Sequence, residues 1–227
     1  MTKIFLICGY EIPEDMTKDF EYKVYMNLAF NKIYDYAVRD QSQSIVIIFS
    51  GGNTDSFPPY KRNEASEMIK LFKSLMGRSF VKDLTEKWQM VVEKRALSTL
   101  ENLLFAKEII AVRKVRDYKL HIICSLLREG VIERLGQEVF GKSVNWQVNP
   151  LDFQNSPKRY VDPKTRIAVE KEGIEFALWA LKSPENMGKF RSAYKEKLEL
   201  TRRNKDISYE DKVKWWGRKL RELGFEL

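Results

Sequence analysis

The chain has 227 residues, 44% hydrophobic and 12% aromatic, enough for one α/β domain and an accessory element. Its net charge is +8, and the basic excess is denser after Pro150 than before it. With two cysteines, Cys8 and Cys124, and a single histidine, His121, the composition excludes a disulfide framework and a His-rich metal site. No apolar run approaches a membrane span and no secretory leader is visible, so a soluble, cytoplasmic protein is the expectation.

In chain order, residues 3–8 (KIFLIC) read as a first strand, followed by Gly9. Residues 17–39 keep helical spacing through Phe20, Val24, Tyr25, Leu28, Ala29, Tyr36 and Ala37. The β-branched run 45–49 is a second, buried strand that stops on Ser50-Gly51-Gly52-Asn53. A strand, a helix and a strand in succession cross over right-handed into a parallel sheet. Asn63 caps a helix to about residue 76, and Gly77 ends it. Residues 79–87 hold at most a short helix. Residues 88–93 form a third strand, and 98–115 a helix with Leu100, Leu103, Leu104, Ile109 and Ile110 on or beside one face. Residues 119–124 form a fourth strand, 128–140 a helix ended by Gly141, and 144–148 a fifth strand.

This alternation predicts a Rossmann-like, doubly wound α/β fold with a mainly parallel sheet of about five strands. The expected division is 1–150 for that domain and 151–227 for a basic, helical C-terminal extension packed on it. The extension begins with a polar stretch over 152–162. Helices over 164–182 and 185–203 follow, then one capped by Ser208 that carries Trp215 and Trp216. It reads as an appendix without a sizeable core, its tryptophans docking on the main domain.

Ligands of such folds bind beyond the carboxyl ends of the strands. That edge gathers Cys8, Gly9, Ser50, Gly51, Gly52, Glu93, Cys124 and Ser125, and Asn53 after the glycines is a further candidate contact. Paired glycines let the backbone approach a ligand closely, and a following helix points free N–H groups at an anion. Ser66-Glu67 lies in a first helical turn, where both residue types satisfy free N–H groups. Ser98-Thr99-Leu100-Glu101-Asn102 matches a capping box, which accounts for Ser98 and Glu101 but not for Thr99 or Asn102. A cation at a helix start is unfavourable, so Arg128 is better explained if it faces an anion. His121 lies inside a strand and reads as a core residue. Cys8 and Cys124 read as small buried hydrophobes, although neighbouring first and fourth strands would bring both thiols to the crevice.

The order of these pieces resembles the YdcF/SanA/ElyC-like family of bacterial α/β proteins, a domain of unknown function. Ser50, Gly51, Gly52, Ser66, Glu67, Met68, Glu93, Thr99, Glu101, Asn102 and Ser125 carry the likeness, which spans roughly residues 4–148. Arg128 and Val131 stand where that family carries His and Arg. The resemblance implies envelope-related metabolism and a fold associated with binding nucleotides or S-adenosylmethionine.

Three readings follow. In the first, the protein is an enzyme, a transferase or hydrolase, acting on a phosphate-bearing or nucleotide-like molecule. Backbone donors at Gly51, Gly52, Ser66 and Thr99 would hold the anion and Arg128 would neutralise it. Glu67 or Glu93 would serve as base or divalent-metal ligand. The second is a non-catalytic binder of a small molecule in the same crevice. The third is a nucleic-acid or protein-binding module working through the basic C-terminal helices.

Overall fold

The computed structural model describes residues 1–9, 12–153 and 163–225. Five strands form one sheet: β1 (Thr2–Cys8), β2 (Ile45–Ser50), β3 (Gln89–Glu93), β4 (Tyr118–Ser125) and β5 (Trp146–Leu151). Their order is β3-β2-β1-β4-β5, and every pairing is parallel. This is the Rossmann-like, doubly wound α/β arrangement expected from the alternating pattern. β1 and β2 are central and buried almost throughout, which is why both read as continuous apolar runs.

Helices α1 (Phe20–Arg39) and α2 (Glu64–Met76) join the first three strands, with the short α3 (Lys82–Thr85) preceding β3. Helix α4 (Thr99–Val112) carries the chain back past β1 to β4, and α5 (Glu129–Phe140) leads to β5. α1 packs on α2 and α4 packs on α5, as right-handed crossovers on the two faces require. Phe30, Phe49, Phe72 and Trp88 form an aromatic cluster between α1, α2 and the sheet, with centroids 5.2–5.7 Å apart for the nearest pairs. The winding direction reverses at β1, so the crevice between the carboxyl ends of β1 and β4 is the topological switch point.

Several boundaries differ from the sequence reading, those of α1 and β5 among them. α1 begins at Phe20 because Asp19 caps it, its Oδ1 accepting from Tyr22 N at 2.7 Å. β5 starts later and runs through Pro150 to Leu151. It is an edge strand, where a missing backbone donor is tolerated. Of the expected polar stretch, residues 154–162 lie outside the described residues.

The chain divides into two compact units, Met1–Gln154 and Asn155–Leu227. The second contains α6 (Pro163–Ala180), α7 (Pro184–Arg203) and α8 (Tyr209–Glu222). Ser183 and Ser208 cap α7 and α8 through their side chains. Contrary to the appendix reading, this unit has an aromatic centre. Phe176 is fully buried, with ring centroids of Phe190, Trp179, Phe225 and Trp216 within 4.9–5.7 Å. Trp216 also meets Tyr194 at 5.1 Å, and so takes its place in this unit's own cluster. No helix among the described residues is long and apolar enough to cross a membrane.

Candidate functional site

Register sets the first part of the carboxyl edge. Ser50 ends β2 and pairs with Glu93, the last residue of β3. The buried Ser50 hydroxyl lies 2.9 Å from Glu93 Oε2 and 2.8 Å from Asn102 Oδ1, tying β2, β3 and α4 together. Glu93 is further engaged by its own loop. Its Oε1 accepts from Arg95 N at 2.6 Å and its Oε2 from Ala96 N at 3.2 Å. Ser98 caps α4, Glu101 N donating to its Oγ at 3.2 Å, while Glu101 Oε2 reaches one residue past the cap and accepts from Leu97 N at 2.6 Å. Thr99 is the first residue of α4 and is half-buried at this edge.

The glycine turn differs from the expected donor cradle. Gly51 N donates to Glu93 O at 3.2 Å and Gly52 N to Ala96 O at 2.6 Å. The first two N–H groups of α2 are also committed, Glu64 N to Gly52 O and Ala65 N to Gly51 O, both at 2.9 Å. The glycines are therefore required for close packing rather than for contact with an anion. A Cβ at Gly52 would overlap Ala96 O and lie 3.0 Å from Lys94 O, and one at Gly51 would lie 2.9 Å from Glu64 Cβ. Asn53 braces the following loop, donating from Nδ2 to Tyr60 O at 3.0 Å.

Ser66 and Glu67 also fall differently. Ser66 N is the donor to the Asn63 cap at 3.0 Å, and Glu67 pairs along its helix with Lys70 at 2.6 Å. The acid that α2 places at the strand ends is Glu64, which its spacing in the sequence does not single out. It is 4% exposed and accepts from Tyr22 OH at Oε1, at 2.8 Å. Its side chain occupies the space above Gly9 and Gly51, where a Cβ on Gly9 would overlap Oε2. The signal in the sequence was the pair of glycines ending two adjacent strands, which leaves room for one buried side chain. By spacing alone Glu64 looks like any acid in a first helical turn.

Arg128 lies in the turn after β4 and reaches across the switch point, Nη1 donating to Gly9 O at 2.7 Å. Beneath it Tyr25 OH lies 2.8 Å from Cys8 O and 3.3 Å from Ile123 O, bridging the ends of β1 and β4. Ser125, buried, ends β4 beside them. Burial pushes the Cys8 thiol up to about 12 against the pull of Arg128. Burial also raises Cys124 and Tyr25. Both thiols stay protonated and act as small hydrophobes.

A second tie borders the crevice. Arg62 grips the fully buried Asp55 with two hydrogen bonds, Nη2 to Oδ1 at 2.8 Å and Nε to Oδ2 at 3.0 Å. Its Nη1 donates to Pro13 O and Glu14 O, both at 2.9 Å, joining the loops after β1 and β2. Burial alone would raise the Asp55 pKa, but the hydrogen bonds from Arg62 and from Phe57 N outweigh it and hold it below the usual value.

Among the described residues no group of three or more His, Cys, Asp or Glu side chains is arranged to hold a metal ion. His121 lies within β4, away from this edge. No model of a known protein family matches the chain, and no curated protein matches it either.

Proposed function

We propose that the chain binds a phosphate-bearing, nucleotide-like small molecule in the crevice at the carboxyl ends of β1 and β4. The observation that carries this reading is Arg128, whose guanidinium is drawn over the switch point by its bond to Gly9 O. Guanidinium stays charged at any working pH, which suits an anionic ligand. The buried Ser50–Glu93–Asn102 network forms a rigid wall beside it. Kinship with YdcF/SanA/ElyC-like proteins is part of the proposal and rests on residue order alone.

Binding is better supported than a reaction. Ser50 is buried, Glu93 is held by its own loop, and Glu67 is paired with Lys70. None of these three presents an accessible nucleophile or base. A transferase or hydrolase would need its base from another group.

Thermal-shift measurements with nucleotides, sugar phosphates, S-adenosylmethionine and divalent metals test the reading. A phosphate ligand should raise the melting temperature of the wild type by several degrees, and Asn102→Ala and Arg128→Ala should each lose that rise. No shift at millimolar ligand overturns it. A response to S-adenosylmethionine alone favours a binder of that cofactor instead.

One observation favours nucleic acid as a second partner. A groove of about 380 Å³ on α7 and α8 is lined by Trp215, Leu200, Lys195 and Arg203, and Arg218 lines the adjoining one. The acids there are paired, Glu196 with Lys219 and Glu199 with Arg202. Lys195, Arg203 and Arg218 make no ion pair among the described residues. An indole ringed by unpaired cations suits a stacked base and its phosphates. Oligonucleotide affinity that falls steeply with salt would support this use of the groove, and a flat dependence would remove it.

A further inference from the structure

We infer that the amino-terminal edge of the parallel sheet, at the opposite end from the crevice, docks the protein on a membrane surface rich in anionic phospholipid. This goes beyond the small-molecule reading and uses neither the crevice nor the groove on α7 and α8.

Topology assembles the surface. All five strands run parallel, so every connection that leads into a strand lies at the same end of the sheet. Residues 39–44 lead into β2, 77–88 into β3, 113–117 into β4 and 141–145 into β5. Together they hold eight basic and four acidic residues. Residues 1–150 hold 22 basic and 19 acidic residues, so this end accounts for the whole basic excess of that unit. The stretches are also tied together. Arg113 Nη2 donates to Gln89 Oε1 at the start of β3 at 2.8 Å, and Leu120 N donates to Asn145 O at 2.9 Å.

The cations there face solvent. Arg78, Lys87, Arg113, Lys114, Arg116 and Lys142 are exposed and make no ion pair among the described residues. Helix dipoles account for cations at or just past a last turn, such as Arg78, Arg113 and Lys142. They do not account for Lys87 and Arg116, which sit next to the strands. Lys114 follows α4 in the left-handed region, with φ 53°, where glycine is favoured, so a charge is kept there against the backbone's preference.

Two large apolar side chains stand among these cations. Phe80 is 77% exposed between Arg78 and Lys82, and Val112 is 74% exposed beside Arg113 and Lys114. Apolar side chains left in water among unpaired cations suit the boundary between anionic headgroups and acyl chains, which takes up both. A nucleic acid fits less well, since an aliphatic Val112 offers no ring for a base to stack on. The attachment is peripheral: no described helix is long and apolar enough to cross the bilayer.

Sedimentation of the full chain with lipid vesicles tests the inference. Vesicles of phosphatidylserine and phosphatidylcholine in equal parts should bind at least about tenfold more tightly than phosphatidylcholine alone, and salt should weaken the binding. Lys87→Glu combined with Arg116→Glu should lower that affinity by at least about tenfold. Phe80→Ser combined with Val112→Ser should abolish the binding that survives high salt, with the melting temperature unchanged. Lys195→Glu combined with Arg203→Glu, on the helical unit, should leave vesicle binding as it is. Equal affinity for the two kinds of vesicle, or binding lost only in the helical-unit variant, overturns the inference. Binding indifferent to Phe80→Ser and Val112→Ser also overturns it, and marks the edge as a site for nucleic acid or another polyanion instead.

Discussion

Both units carry exposed ion pairs along their helices, but they differ in their buried polar groups. In the α/β unit the decisive hydrogen bonds are buried or part-buried and join residues far apart in the chain. Tyr22 reaches Glu64 across 42 positions, Ser50 reaches Asn102 across 52, and Arg128 reaches Gly9 across 119. In the helical unit most ion pairs are local and solvent-exposed, such as Lys189 with Glu185 and Lys214 with Glu210, one helical turn apart. Pairs of that kind add little, so the helical unit depends on the ring cluster around Phe176. Gly9, Gly51 and Gly52 are packed against other atoms, while a Cβ at Gly188 would meet nothing within 4 Å.

The largest effect expected from this contrast is at Arg62. Arg62→Ala removes both guanidinium bonds from the buried Asp55 carboxylate, leaving it only neutral donors such as Phe57 N, and should cost about 4 kcal/mol in urea denaturation. A loss as small as that of an exposed helix pair would erase the distinction between the units.

Acid comes next. His121 is fully buried between Phe5 and Tyr36, with centroids at 4.9 and 4.5 Å, and Asn149 Nδ2 lies 3.5 Å from its Nδ1. Burial, with Lys119, Lys3 and Lys32 nearby, lowers its pKa to about 4 from the usual 6.5. The folded form holds the neutral ring while the unfolded chain binds the proton, so stability declines as pH falls from 6.5 towards 4. The loss from this residue should reach up to about 3 kcal/mol. Denaturation midpoints across that window should fall for wild type and fall less for His121→Gln.

A smaller change sharpens the contrast at the glycines. Gly52→Ala should destabilise by about 2 kcal/mol, because backbone carbonyls of the β3–α4 loop occupy the new methyl's place. Gly188→Ala, inside α7, should instead stabilise by about 1 kcal/mol through helix propensity. Equal effects at the two positions, read from chemical denaturation, would show that both glycines are merely helix and turn punctuation.

The candidate site was legible in part. Ser50, Glu93 and Asn102 are in contact, as their places at strand and helix ends suggested. Their hydrogen bonds are turned inward, however, and a motif in the sequence looks the same whether its donors face a ligand or a neighbouring loop. Glu67 and Glu64 lie three residues apart on one helix, and only the strand ends facing α2 decide which is buried.

By itself the sequence determined the parallel α/β class, the helix caps at Asn63, Ser98 and Ser208, and the break in texture near Pro150. These depend on short-range periodicity and on side chains bonding their own helix ends. Only the tertiary structure decided which backbone donors are spent, which acid is buried and where Arg128 reaches. Each of those depends on strand order and register, which bring Gly9, Gly51, Glu64 and Arg128 together from the segments that follow β1, β2 and β4.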